Sequence, residues 1–213
     1  MITVILMMAG NASRMHSSEN KVYLPLGNKM VFEHSLNLFL SYGLEVVCVI
    51  RKEDRSYLKE YETKVKIVYG GKTRQESVYE GLKEASQPYV LIHDAARPFL
   101  SKTIVDSCIS SLRKKTACLV VAPCKDSIYQ KTPLQSICRE ELVLAQTPQG
   151  GKTADFLEVH QKAIEERVSA TDDISLLLKY KDVIVELIEG TDTNFKITTQ
   201  LDYITAKGLI QND

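Results

Sequence analysis

The chain has 213 residues, 44% of them hydrophobic and 25% charged, and its 27 basic and 27 acidic side chains leave a net charge of zero. That length holds one domain with a real core, or at most two small ones, and the profile is that of a soluble protein. General binding of nucleic acid or of an acidic membrane calls for a basic excess that is absent, so any attraction for phosphate must be local.

Five cysteines, an odd count without a C-x-x-C pair, point to buried free thiols rather than zinc or a disulfide framework. The start of the chain lacks a basic segment followed by a long apolar one. No apolar run approaches the roughly 20 residues needed to span a bilayer. The cytoplasm is therefore the expected compartment, with no membrane and no nucleic acid as partner.

In chain order, "ITVILMMA" reads as a buried strand and "MVFEHSLNLFLSYG" as a helix stopped by Gly43. "LEVVCVI" is a second strand, "RSYLKEYE" a short helix, and "VKIVYGG" a third strand ending in two glycines. The amphipathic "RQESVYEGLKEA" is a helix, "YVLIHDAARPF" a strand that runs into polar residues, and "SKTIVDSCISSLRK" a helix capped by Ser101. "TACLVVAPC" and "VIVELIEG" are strands, while "TADFLEVHQKAIEER" and "TDDISLLLKY" are helices. This alternation predicts one α/β domain over residues 1–213, with a mainly parallel sheet and right-handed crossovers. Residues 125–150 break the rhythm with short β-prone pieces between polar turns. They read as a projecting β-arm, whose thin core would be relieved by pairing with a second subunit; an ordinary surface hairpin is the other reading.

Ligands of open α/β sheets bind at the carboxyl ends of the strands, and four polar clusters fall there. "AGNASRM" follows the first strand; neither the dinucleotide nor the Walker glycine pattern is present. Its small residues Ala9, Gly10, Ala12 and Ser13, with Asn11, allow a close backbone approach to an anion, and Arg14 adds a forked donor for phosphate. Lys21 is a second cation near that turn, suited to charge building on a leaving pyrophosphate. "GGKTRQES" offers Gly71, Arg74 and Ser77 at a helix start, a polar pocket for a base or ribose unless Ser77 only caps or packs. "HDAARP" brings Asp94 to the sheet edge, where a carboxylate orients a divalent metal or a substrate hydroxyl unless it only caps a turn. Arg97 would brace Asp94, and His93 would pack or bond locally rather than act as a base. "TDTNFKITT" puts Lys196 on one face with Asn194 in a short alternating strand, fit for a second phosphate. In "ATDDISLL" Thr171 or Asp172 reads as the helix cap, a simpler reading than a metal site at the paired Asp172 and Asp173. Positioned cations without a Ser/His/Asp or Cys/His arrangement favour phosphoryl or nucleotidyl transfer.

Taken together, "MAGNASRM", "NKVYLPLGNKMVFEHSL", "GGKTRQESVYEGL", "VLIHDAARPF", "AQTPQ", "ATDDISLL" and "NFKITT" resemble the 2-C-methyl-D-erythritol 4-phosphate cytidylyltransferase family of the non-mevalonate isoprenoid pathway. The resemblance runs from residue 7 to about residue 199. It implies a Rossmann-like nucleotidyltransferase fold and a homodimer joined through the arm. It also implies transfer of CMP from Mg-CTP to a sugar-alcohol phosphate, with release of pyrophosphate. Arg14 and Lys21 match the catalytic cations on the triphosphate. Gly71 and Ser77 match the cytosine and ribose pocket. Asp94 matches the acid that positions the sugar phosphate near the Mg²⁺, and Lys196 a cation on that phosphate. Lys152 stands close to a basic residue that reaches into the partner's site. The sequence departs from the family at Ala12, where a second glycine is usual, and at Asn20 and Val22, where proline and glutamine are usual. "QLD" keeps only Asp202 of the usual P-E-D, and "TPQGG" lacks the usual aromatic residue and arginine. A ribitol-5-phosphate cytidylyltransferase is the nearest alternative, and a non-catalytic nucleotide-binding protein a more distant one.

Overall fold

The computed structural model describes residues 1–10 and 20–211. In chain order these form β1 (Ile2–Met7), β2 (Pro25–Leu26), β3 (Lys29–Met30), α1 (Val31–Ser41), β4 (Glu45–Ile50), β5 (Lys66–Tyr69) and α2 (Arg74–Lys83). There follow β6 (Tyr89–Asp94), α3 (Lys102–Arg113), β7 (Ala117–Pro123), β8 (Ile128–Gln130), β9 (Gln135–Ile137) and β10 (Val143–Lys152). The chain closes with α4 (Thr153–Glu165), α5 (Asp173–Tyr180), β11 (Val185–Glu189) and α6 (Gln200–Ile210).

Seven strands make one sheet in the order β11–β7–β10–β6–β1–β4–β5. Pairings β1–β4, β1–β6, β4–β5 and β11–β7 are parallel, and β10 runs antiparallel to both β6 and β7. The mainly parallel α/β sheet expected from the alternation is thus present. Side chains of a strand alternate between faces. In β1, Val4 and Leu6 join the core under α1 and α3, beside Phe32, Phe39 and Val105. Ile5 and Met7 join the core on the other face, with Val78 of α2, Phe156 of α4 and Leu177 of α5. A sheet covered on both faces explains why its strands read as continuous apolar runs. At Gly81 of α2, a Cβ would come within 2.7 Å of Ile5 and Val49 side chains, so that helix lies close on the sheet.

Four sequence expectations change. "RSYLKEYE" belongs to a 3-10 segment, Lys52–Tyr61, rather than an α-helix. The proposed arm is shorter: β8 and β9 pair as a two-stranded hairpin, but Val143–Lys152 lies inside the main sheet. Two glycines at 150 and 151 let β10 pass between β6 and β7; a Cβ on Gly150 would meet the Val90 carbonyl at 2.9 Å. Residues 195–199 form no strand ladder; the segment is held instead by the amide of Ile197 donating to the Ala96 carbonyl, 2.8 Å. Helix α6 was not foreseen, although Thr199 and Asp202 form its capping box. Of the cysteines, Cys48, Cys108 and Cys118 are buried and free as expected, while Cys138 is exposed.

Candidate active site

Strands β1, β4, β5 and β6 run parallel, so their carboxyl ends share one edge of the sheet. The chain moves outward from β1 through β4 to β5 and then returns to the other side of β1 at β6. The crevice at such a reversal is where doubly wound folds bind ligands. A cavity of about 630 Å³ opens there. Met7 and Ala9 line it from β1, Gly70 and Gly71 from β5, Ser77 from α2 and Asp94 from β6. Among the described residues, Lys21, Arg51, Lys52, Lys72, Arg74 and Lys196 face it against Glu53 and Asp94. A chain of zero net charge thus concentrates cations where a phosphorylated ligand would sit.

Asp94 is the hub. Lys196 Nζ donates to its Oδ2 at 2.9 Å, Arg74 Nε lies 3.6 Å from Oδ1, and Arg97 Nε lies 4.0 Å from Oδ2. Burial alone would favour the neutral acid, but Lys196, Arg74 and Arg97 outweigh it and hold the carboxyl well below its ordinary range. Asp94 therefore stays ionised and has no proton to give. Lys196 is brought to it from the far end of the chain by Asn194, whose buried amide donates to Gln146 Oε1 at 2.9 Å and to the Thr147 carbonyl at 3.0 Å. Arg97 Nη1 donates to the Asn194 carbonyl at 2.7 Å, which closes the same joint. Arg97 thus braces the site, as expected.

His93 is fully buried behind this group. Its Nε2 faces the Arg97 carbonyl at 3.3 Å and its Nδ1 faces Thr147 Oγ1 at 3.0 Å. A carbonyl only accepts, so Nε2 carries the hydrogen and Nδ1 accepts from the threonine. Burial pushes its pKa down to about 4. A neutral, fully bonded ring is structural, in line with the reading of the sequence.

At α2 the geometry refines the expectation. Thr73 and Glu76 form a capping box, with Glu76 Oε2 accepting from the amides of Lys72 (2.6 Å) and Thr73 (3.3 Å). These amides are occupied by the helix's own cap, so α2 presents side chains to the cavity. Ser77 Oγ donates to the Thr73 carbonyl at 2.8 Å, leaving its lone pairs for a ligand. Arg74 donates twice to Asp173, at 3.1 and 2.7 Å. Burial disfavours the guanidinium charge, but Asp173 and Asp94 together raise its pKa above the ordinary value. Asp172 caps α5 by accepting from the Ser175 amide at 2.8 Å, as expected, whereas Asp173 does something the sequence reading missed: it anchors a cavity arginine from 99 residues away.

Among the residues expected at the site, Ala9, Gly10, Lys21, Gly71, Arg74, Ser77, Asp94 and Lys196 all line the one cavity. Asn11, Ala12, Ser13 and Arg14 lie outside the described residues. Lys152 does not join the group. It pairs with Tyr89 at the amino end of β6, the end opposite Asp94, because β10 runs antiparallel.

The model of the family described as IspD, 2-C-methyl-D-erythritol 4-phosphate cytidylyltransferase, matches residues 2–212. A protein of that name from Halalkalibacterium halodurans is 35% identical over 98% of this chain and 96% of its own length. The crystal structure of 4-diphosphocytidyl-2C-methyl-D-erythritol synthase from Anaerococcus prevotii is similar with a TM-score of 0.87 at 29% identity, covering 99% of this chain and 98% of that one. The 2-C-methyl-D-erythritol 4-phosphate cytidylyltransferase from Thermus thermophilus is similar with a TM-score of 0.82 at 30% identity, covering 97% and 98%. The chain belongs to the 2-C-methyl-D-erythritol 4-phosphate cytidylyltransferase family. It is thus a nucleotidyltransferase by family, and its sheet is the fold of those solved cytidylyltransferases.

The described residues of this cytidylyltransferase do not fit a metal held by the protein itself. No three His, Cys, Asp or Glu side chains gather among them. Asp94, the candidate ligand, has its oxygens turned to Lys196, Arg74 and Arg97.

Proposed function

We propose that this chain transfers CMP from CTP to 2-C-methyl-D-erythritol 4-phosphate. The observation that carries the proposal is the cavity itself, lined by Lys21 and by the Lys196–Asp94 pair at the reversal point of a sheet belonging to this family.

The phosphate of the sugar alcohol attacks the α-phosphorus of CTP in line. A new P–O bond forms, the bond from the α-phosphorus to the bridging oxygen breaks, and pyrophosphate leaves with that electron pair. The attacking phosphate is already an anion near neutral pH, so no general base is needed. The permanently ionised Asp94 and the buried neutral His93 agree with this. Catalysis then consists of alignment and charge stabilisation. Lys21, with Arg14, takes the charge that builds on the leaving pyrophosphate. Ala9 and Gly10 border the triphosphate, and the family resemblance assigns the same role to Asn11, Ala12 and Ser13. Gly71 and Ser77 border the nucleoside, and Arg74 lies between them and Asp94. Lys196 neutralises the sugar phosphate, and Asp94 fixes the lysine ammonium in place. Mg²⁺ enters as part of the Mg-CTP substrate, bound mainly by phosphate oxygens, as is usual for that ion.

The active form we propose is a cytoplasmic homodimer. The β8–β9 hairpin would pair with the partner's, since an isolated two-stranded ribbon has little stability alone. Tyr129 of β8 and Leu134 of the connecting turn are both exposed. In such a dimer Lys152 would act on the partner's site, because it stands away from its own.

Mixing the protein with CTP, Mg²⁺ and 2-C-methyl-D-erythritol 4-phosphate tests the reaction. Equimolar pyrophosphate and a CDP-linked polyol are expected. CTP binding without pyrophosphate release on any polyol phosphate would overturn it in favour of a binding protein.

A further inference from the structure

Lys21 sits in a three-residue 3-10 turn, Lys21–Tyr23, and the preceding Asn20 governs how that turn is held. Asn20 is 2% exposed, and every polar atom of its side chain is used. Nδ2 donates to the Met8 carbonyl at 2.7 Å and to Asp54 Oδ2 at 3.4 Å, while Oδ1 accepts from the Val22 amide at 3.4 Å. Carbonyl and carboxylate only accept and an amide N–H only donates, so this orientation of the side chain is dictated by its partners.

The other end of the network is equally fixed. Asp54 receives Arg51 twice, at 2.7 and 2.8 Å, and is itself 4% exposed. Arg51 lines the cavity. The segment that carries Asp54 also carries Tyr57, whose ring stacks on Tyr23 at 4.1 Å between centroids, and Phe32 meets Tyr23 edge-on at 5.6 Å. The turn bearing Lys21 is therefore gripped twice by Lys52–Tyr61, once through Asn20 and once through Tyr23. Through Met8 it is also tied to the end of β1.

The backbone of Asn20 has φ −71° and ψ 122°. That φ lies within the range a proline ring imposes. The side-chain bonds hold a conformation that a ring could hold covalently.

We propose that Asn20 is the positioning residue for Lys21: its side chain, bonded to the end of β1 and to Asp54, holds the chain entering the Lys21 turn in a proline-like backbone conformation, and so fixes where the lysine meets the triphosphate. This rests on the role assigned to Lys21 above. A misplacement of about 1 Å is enough to cost on the order of 100-fold in rate.

The test is a steady-state comparison of N20A, N20P, K21A and the double variant N20A/K21A, with thermal unfolding measured alongside. N20A is expected to lower kcat by about 10- to 100-fold while KM for CTP moves less, because Lys21 acts chiefly on charge that develops in the transition state. N20P should recover most of that kcat by restoring the backbone constraint without the amide. In the K21A background, N20A should cost little more. A packing role alone would lower the unfolding temperature without this dependence on Lys21. Near-normal kcat in N20A, an N20P no better than N20A, or losses that simply multiply in the double variant would each overturn the proposal while K21A itself stays impaired. A K21A with normal turnover would overturn the Lys21 assignment and the proposal with it. Should N20A fail to fold, N20S takes its place against N20P with the same expected order.

Discussion

Lys196 Nζ and Asp94 Oδ2 stand 2.9 Å apart across 102 residues of sequence. The pair commits one of the lysine's three donors to protein among the described residues and fixes its charge at the cavity wall. Its remaining donors suit a phosphate. Removing it should cost about 1.5–3 kcal/mol of substrate binding, the range for a hydrogen bond to a charged group. Lys196→Ala is thus expected to raise KM for the sugar phosphate by about 10- to 100-fold with a smaller change in KM for CTP. Initial rates at varied concentrations of each substrate check this, and an unchanged KM for the sugar phosphate would count against the assignment.

Arg74 depends on Asp173, which is 1% exposed and also lies 3.3 Å from the buried His160 Nε2. Removing Asp173 leaves Arg74, whose side chain is 32% exposed, with Asp94 as its ion-pair partner among the described residues, at a cost of about 1–3 kcal/mol. Asp173→Ala should therefore unfold at markedly lower urea concentration than the parent. Its folded pKa is depressed below the reference value of 3.8, by Arg74 and then His160 against the effect of burial. The stability it contributes is accordingly present above pH 3.8 and lost as pH falls through the folded value.

His93 gives a second pH dependence, in a milder range. Its folded pKa of about 4 lies below the reference value of 6.5, because burial disfavours the imidazolium. Between those values the unfolded chain binds the proton and the folded one does not, so stability rises with pH across the window. Isothermal urea titrations at pH 6.5 and pH 4 should differ by on the order of 3 kcal/mol from this group. His93→Gln should flatten that slope, and an unchanged slope would show that His93 is not its source.

Much of this arrangement was legible in the sequence. The strand pattern gave the parallel sheet, and the placement of polar clusters after apolar runs put Gly71, Asp94 and Lys196 at one edge. What was not legible depends on distance along the chain. Asp173 looks like an ordinary acid of a helix start capped by its neighbours until the fold delivers it to Arg74. Residues 143–150 read as part of an arm because the polar "QTPQ" interrupts their apolar pattern. In the sheet those polar side chains are buried and paired, with Gln149 Oε1 accepting from the amides of Asp173 and Ile174 at 3.0 Å each. Asn20 read only as a departure from a family pattern, since its partners Met8 and Asp54 come from separate strands' ends.

Gly70 marks a close approach in the cavity wall where the nucleoside is proposed to bind. A Cβ there would lie 2.7 Å from Ser77 Oγ and 2.8 Å from the Ala9 Cβ, two residues that line the cavity. Gly70→Ala must displace one of them, at a cost of about 1–3 kcal/mol in overpacking. Isothermal titration of CTP should show weaker binding, with the unfolding temperature lowered as well. Binding at the parental affinity would place the nucleotide elsewhere.

The most direct measurement of the central claim is kcat/KM for CMP transfer from CTP to 2-C-methyl-D-erythritol 4-phosphate and, separately, to ribitol 5-phosphate. Turnover of the first, preferred over the second by tenfold or more, equivalent to about 1.4 kcal/mol, is the expected result. Preferred turnover of ribitol 5-phosphate would contradict it.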